Sequence, residues 1–397
     1  MRKFDTIVIG GGASGIIAAI SARRNGRNVM ICERMNRLGK KILVSGGGRC
    51  NISNADLSEA RYNTGARELV KNVFSRFGKE DIEKFFNEIG LRVYPEGDRL
   101  FPVTNQAASV LKVLEEELKR LKIPVESGFN AAGIAARPDG KGYLVKFGSG
   151  DVISADSVII TGGGRSYPSL GSDGSCYGLA RSLGHKIIEP VPSAVPLLSK
   201  DRFCHFLQGQ RIQCSAKSVI EGKIKKEAKG ELLFTKYGLS GTAILDISED
   251  ISIALNRLGD KAAAVLIDMV PFMSAVEIEK EIEKRIQKGI APEDLMTGLL
   301  PNKFSLVFRD LFKGLNAGEI TGLLKNKRFD IIGTRGWNEA EFTAGGVDTR
   351  DVREDTLESK LKKGVYFAGE ILDVNAGRGG YNLAWAWASG YIAGLTK

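Results

Sequence analysis

The stretch that most constrains this chain is Gly10-Gly11-Gly12-Ala13-Ser14-Gly15. It follows an apolar run, Phe4, Ile7, Val8 and Ile9, and opens a small-residue helix expected over 14–25. In a G-x-G-x-x-G at a strand-to-helix turn each glycine has its own use. Gly10 allows the tight turn, Gly12 lets the backbone close on a pyrophosphate, and Gly15 lets the helix pack against the strand. Ala13 and Ser14 begin the helix, whose free N–H groups and positive dipole end face the phosphates. A second strand, Asn28 to Cys32, ends in Glu33, where a carboxylate can accept hydrogen bonds from a ribose diol. The hexapeptide alone fits any glycine-rich turn. Strand, helix and acid in this order point to a dinucleotide.

A chain of 397 residues with 43% hydrophobic and 26% charged residues is globular, with about two to three domains. Its five cysteines, at 32, 50, 176, 204 and 214, form no C-x-x-C, and with only His185 and His205 no metal site is expected. Isolated thiols suit a reducing cytosol. Arg2-Lys3 and the apolar stretch after them resemble a signal peptide, but Asp5 and the glycines interrupt it. No run of 18 apolar residues occurs, so the chain is expected to be cytoplasmic, with no membrane partner. The net charge of +10 suits an anionic partner or simply solubility.

After Glu33 come Arg34, Arg37, Gly39, Lys40 and Lys41, with Gly39 expected to interrupt any helix and the cations near the phosphates. Ser45-Gly46-Gly47-Gly48-Arg49-Cys50-Asn51 reads as a loop able to approach a flat ligand. Arg49 could read a phosphate or a carbonyl. Cys50 is either a packed thiol or a proton donor beside a redox ring. Helices are expected over 66–77 and 79–89, and a longer one capped by Asn105 runs to Leu121. Alternating stretches near 130–136, which include Ala131, 142–147 and 151–153 form a small meander, and Ser157 to Thr161 is a separate buried strand. Gly162-Gly163-Gly164 follows it. No helix opens there, so Thr161, Gly162 and Gly163 are read as returning to the first dinucleotide, while Gly171 to Gly174 caps a helix over 175–183.

Pro190, Pro192 and Pro196 mark a linker into an insert. Residues 191–270 read as β-rich, 271–328 as a helical cap, and 329–342 as the return, leaving 1–190 and 343–397 as two parts of one nucleotide-binding domain. From Lys200 to Lys236 nine Lys/Arg face four Asp/Glu, a cluster that either contacts an anionic partner or is a solvated face. Near the C-terminus a strand ends in Gly369-Glu370, followed by Asp373, then Gly377, Arg378, Gly379, Gly380, Tyr381 and Asn382 before a last helix. The acid suits a sugar-chain hydroxyl, and the helix N-terminus could stabilise a negatively charged reduced ring. A long dinucleotide with a redox ring, such as FAD, uses both ends.

Together, G-G-G-A-S-G, S-G-G-G-R-C-N at 45–51, T-G-G-G with Y-P and G-S-D-G at 161–174, T-A-G-G-V at 343–347 and A-G-E to G-G-Y-N at 368–382 resemble the BaiN/YhiN-like flavoproteins. These are NAD(P)/FAD-dependent oxidoreductases, sometimes labelled aminoacetone oxidase-like. The likeness covers essentially the whole chain, and the 161–184 stretch is distantly similar to fumarate reductase flavoprotein subunits. It implies an α/β, Rossmann-like FAD-binding domain of the glutathione-reductase/fumarate-reductase type, with the insert described above. It further implies non-covalent FAD with Glu33 on the adenosine ribose, Gly369-Glu370 beside the ribityl-pyrophosphate, and the 45–51 and 377–382 loops near the isoalloxazine.

The expected function is hydride transfer through flavin N5 to a small keto or enone substrate, with NAD(P)H as a transient reductant. The alternatives are reduction of uridine in ribosomal RNA, with the basic insert holding phosphates, and a non-catalytic flavin-binding sensor or scaffold. Cys50, Arg378, Tyr381 and Asn382 are the catalytic candidates. Arg378 serves equally as a brace or phosphate partner for FAD.

Overall fold

The computed structural model describes residues 2–259 and 262–395. Two compact units form. One takes the residues up to Pro190 together with those from Phe342 on, and the other is Val191–Glu341.

The first unit is built on β1 (Lys3–Ile9), whose Ile7, Val8 and Ile9 are buried, as a parallel strand covered on both faces requires. β1 pairs in parallel with β2 (Val29–Glu33) on one side and with Val152–Ile160 on the other. The latter strand is continuous where two separate pieces were expected. Its first half pairs antiparallel with Tyr143–Phe147, and its end pairs in parallel with Val365–Phe367, so the C-terminal segment joins the sheet. Polar Ser157 does not break it, because its Oγ lies 2.9 Å from Thr6 Oγ1 and donates to Asp5 O at 3.1 Å.

The helix α1 (Ala13–Arg24) packs against the last helix, Tyr381–Gly394, through small residues. A Cβ on Gly390 would lie 2.4 Å from Ser14 O, and one on Gly394 2.4 Å from Ala18 O. The two ends of the chain are thereby closed into one core. Helices Arg67–Arg76 and Lys79–Glu88 form as their apolar spacing predicts. The helix Ala107–Arg120 differs at its start. Asn105 sits at φ +51 and its Oδ1 accepts from Arg49 and Tyr94, so it makes no cap.

Among the described residues the second unit is a seven-stranded sheet with five α-helices of its own. One hydrophobic cluster draws on residues from Leu197 to Ile331, including Phe203, Phe234, Phe304, Phe308, Phe312 and Phe329. The helices of 271–328 thus contribute to the core on which the sheet rests. The sequence reading missed the helix Thr242–Asn256. Its signal was the spacing of Ile244, Ile247, Ile251 and Ala254, all buried, which the alternating strands before it masked. Pro190 and Pro192, read as a linker, lie within a strand, Ile187–Ser193.

Candidate cofactor site

β1 delivers Gly10 to the carboxyl end of the sheet at φ +109, where a Cβ would lie 2.6 Å from Thr161 O. Gly15 is closer still, since its Cβ would fall 1.9 Å from Gly10 O. Gly12 is the contrast. It caps α1, and a Cβ there would meet nothing within 4 Å. The loop is therefore tight on its inner side and open where the N–H groups of Ala13 and Ser14 emerge, which is the shape of an anion cradle.

Glu33, at the end of β2, is buried and accepts from Gly11 N and from Met35 N, each at 2.7 Å. Each carboxylate oxygen has a further lone pair for a hydroxyl. Phe129 N donates to Glu33 O at 3.0 Å, two residues before Ala131 opens the strand Ala131–Ala136. Thr161 Oγ1 donates to Ile9 O and Gly10 O, Gly162 covers Cys176, and Gly163 faces Ser172. Arg34 is ion-paired with Asp173 through Nη1, which ties the 171–175 turn to the end of β2, while its buried Nε has no partner among the described residues.

Gly39 begins a helix instead of ending one. α2 (Lys40–Val44) starts there, and Gly39 N donates to Gly11 O at 2.9 Å. Lys40 is half-buried on its first turn. Lys41, expected near the phosphates, reaches Glu370 at 2.7 Å and Ser166 Oγ at 2.8 Å. Glu370 also accepts from Thr343 N at 2.9 Å. Lys41, Ser166 and Thr343, three residues far apart in sequence, converge on this carboxylate, and no local pattern announces it.

In the 45–51 loop Ser45 Oγ donates to Ile42 O, Gly46 packs on Asn51, and Gly47 and Gly48 face open space. Arg49 and Cys50 depart from expectation. Arg49 is held by Glu96 at 2.7 Å, Tyr94 OH at 2.9 Å and Asn105 Oδ1 at 2.9 Å, and lies 4.1 Å from the Phe101 ring centroid. It braces the loop on the hairpin of 93–102 and is not available to read a phosphate or a carbonyl. Cys50 is fully buried, and burial pushes its thiol up to about 12. It is a packed thiol, and the proton-donor reading falls.

The 373–382 loop is clasped by the 51–63 segment. Asn54 donates to Gly379 O at 3.0 Å, Asn63 to Asp373 O at 3.0 Å and Tyr62 OH to Tyr381 O at 2.9 Å. Gly380 is pressed on Ser53, and Gly369 on Ser14, while Gly377 is exposed. Asn382 is committed within the loop: its Oδ1 accepts from Ala376 N at 3.0 Å and its Nδ2 donates to Ala376 O at 2.9 Å. It therefore braces the loop and leaves the catalytic list. Tyr381 opens the last helix, half-buried, with Tyr62 edge-on at 6.3 Å and the Arg61 guanidinium 5.9 Å from its centroid. Burial holds its phenol above the usual range. Arg378, half-buried, stands between Gly377 and Gly379.

Four buried side-chain oxygens on or beside these loops have no hydrogen-bond partner: Asn51 Oδ1, Ser53 Oγ, Ser172 Oγ and Tyr177 OH. Unpaired buried polar atoms are rare, and their concentration beside an open anion cradle and a buried acid fits a long polar dinucleotide. Among the described residues no helix is long and apolar enough to cross a membrane.

Fold and loops thus define a dinucleotide-binding protein of the Rossmann class. The HI0933-like protein Rossmann domain family matches residues 4–396, and the chain belongs to that family, in keeping with the resemblance its motifs carry. It is a Rossmann-fold flavoprotein of the oxidoreductase class. It is 36% identical over 402 residues to the 3-dehydro-bile acid delta(4,6)-reductase of Clostridium scindens, covering 98% of this chain and 97% of that protein. It is 29% identical to the ribosomal RNA dihydrouridine synthase of Haemophilus influenzae, covering 99% and 98%. The fold is similar to that of a 3-ketosteroid delta1-dehydrogenase from Sterolibacterium denitrificans, with a TM-score of 0.55 at 13% identity and 99% coverage of both chains.

Proposed function

We propose that this chain is an FAD-dependent reductase of a carbon–carbon double bond conjugated to a carbonyl, with NADH or NADPH as the electron donor. The observation that carries the reading is chemical. A delta(4,6)-reductase of a 3-keto steroid acid and a dihydrouridine synthase act on unlike molecules, yet both reactions add two hydrogens across an alkene conjugated to a carbonyl. This chain resembles both along its full length.

The α1 N-terminus would hold the pyrophosphate, and Glu33 the adenosine ribose. Glu370, steadied by Lys41, would lie beside the sugar chain, and the N–H groups opening the last helix would face the ring. When bound, the flavin supplies hydride through N5. The β-carbon would take that hydride and the α-carbon a proton, and the nicotinamide donor would leave oxidised. Tyr381 Oη, half-buried at the start of the last helix, is the proton donor in this reading. Arg378 would orient an anionic group of the substrate.

A second reading keeps the chemistry and changes the partner. The 5,6 double bond of uracil is also conjugated to a carbonyl, and the 29% relative acts on ribosomal RNA. The test of both is anaerobic incubation of the protein and a nicotinamide donor with a 4-en-3-one steroid acid or with ribosomal RNA. A product two mass units heavier from either substrate supports the reductase. Donor consumption that begins only when air is admitted, with neither substrate changed, would favour an oxidase, and no consumption at all a sensor or scaffold.

A further inference from the structure

The strands Arg211–Ile220 and Lys223–Thr235 of the second unit form a long antiparallel hairpin. It turns at Glu221 and Gly222, both at positive φ, as a tight two-residue turn requires. Past the turn the chain reads Lys223-Ile224-Lys225-Lys226-Glu227-Ala228-Lys229. The four lysines are exposed. None of them has a carboxylate within ion-pair distance among the described residues, and Lys225 and Lys226 act only at longer range on Asp250. Glu227, the one acid in the strip, is already taken. Ser215 Oγ donates to it at 2.7 Å, and Lys217 across the ladder is 3.8 Å away. A register shift between Ser218 and Val219 places Lys225 as the extra residue of a bulge, so consecutive lysines diverge around the strand. Ile224, 57% exposed, stands among them.

A solvated face ordinarily interleaves signs or pairs its charges, as this protein does elsewhere: Lys112 and Lys119 share Glu116, and Arg285 pairs with Glu281. The hairpin instead presents four unpaired ammonium groups over about 20 Å of rigid strand. A partner with regularly repeated negative charge fits that strip. The apolar area is one isoleucine, too little for insertion into a bilayer.

We propose that the 223–229 strand is a contact surface for the phosphate backbone of RNA. This rests on the second functional reading, in which the reduced ring is a uracil. Each lysine takes a phosphate and releases its counterion, while Ile224 lies against the sugar edge.

The test compares the full-length holoprotein with K223Q/K225Q/K226Q/K229Q. A matched control, K84Q/K122Q/K280Q/K288Q, removes the same charge from exposed sites elsewhere. A fluorescent single-stranded 30-mer RNA is titrated by anisotropy at several salt concentrations. Four lost phosphate contacts lower the salt slope by about 3, so between 50 and 200 mM salt the wild type loses about 50-fold more affinity than the hairpin variant. The control is expected to keep the wild-type slope. Equal loss in both variants means net charge and not the hairpin, and overturns the proposal. A hairpin variant with the wild-type slope overturns it too, while leaving the RNA reading intact. A wild type that binds no RNA at 50 mM salt removes the RNA reading and the proposal together, and binding instead to vesicles of anionic phospholipid assigns the strip to a membrane surface. Equal reduction of the bound flavin by the nicotinamide donor in all three proteins separates these results from loss of the reductase itself.

Discussion

The glycine loop makes a prediction in which two neighbouring substitutions part company. In Gly15→Ala the new Cβ falls 1.9 Å from Gly10 O and 2.7 Å from Thr161 Oγ1, so α1 must lift off the sheet. Overpacking of this kind costs about 3 kcal/mol, the upper end of the usual range, because the obstacle is backbone. For a unit of about 250 residues that is a fall of about 6–12 °C in Tm. In Gly12→Ala the Cβ enters open space, and the backbone at φ −81 suits alanine. Only the helix-capping preference is lost, about 0.5–1 kcal/mol, or about 1–4 °C. The added methyl nevertheless occupies the side from which a pyrophosphate reaches the helix N-terminus. A clash of about 3 kcal/mol there weakens FAD about 100-fold. The assay is a thermal melt of each flavin-free protein by circular dichroism, with fluorescence titration of FAD into the same samples. Gly12→Ala binding FAD within threefold of wild type would refute the assignment of the cradle. Gly12→Ala melting as low as Gly15→Ala would refute the open-space geometry.

Cys50→Ala retains turnover within about twofold, since the thiol is fully buried in the core, whereas Tyr381→Phe, at a half-buried position, keeps its flavin and loses about 100- to 10,000-fold in turnover; steady-state kinetics at matched flavin content decide between them. Asn382→Ala removes the brace on Ala376 and costs about 1–3 kcal/mol, read from denaturant unfolding, with lower flavin occupancy at purification. His185 is buried against Phe367, with Nε2 2.7 Å from Ser359 Oγ and Nδ1 3.2 Å from Ala180 O, and burial lowers its pKa below the usual 6.5. The folded state then binds fewer protons than the unfolded one. Its stability contribution is full above about pH 6.5 and is lost as pH falls through the lowered folded value, so Tm should drop on acidification below pH 6.5, and less steeply in His185→Gln.

The nucleotide loop was legible because its requirements are local. Gly10, Gly12 and Gly15 act within one turn, and Glu33 ends the next strand. The same holds for the apolar spacing of Phe74, Ile82, Phe85 and Phe86. What the sequence concealed depends on partners far along the chain. Arg49 looked free beside three glycines, and only the fold brings Glu96, Tyr94 and Asn105 to it. Lys41 lies 329 residues from Glu370. Asn382 looked like a substrate ligand because an asparagine that ties its own loop shut has the same sequence appearance as one that points outward. Cys50 illustrates the limit from the other side, since burial decides whether a thiol can give up its proton, and burial is a property of the whole core.

In the proposed function this fold holds FAD and passes electrons through it. The most direct measurement is an absorption spectrum of the purified protein, reconstituted with FAD if needed, followed by anaerobic titration with NADH and NADPH and identification of the cofactor released on denaturation. One equivalent of intact FAD is expected, bleached by a nicotinamide donor and reoxidised on addition of the conjugated substrate. A protein that takes up no FAD under these conditions would contradict the assignment of every loop from Gly10 to Asn382.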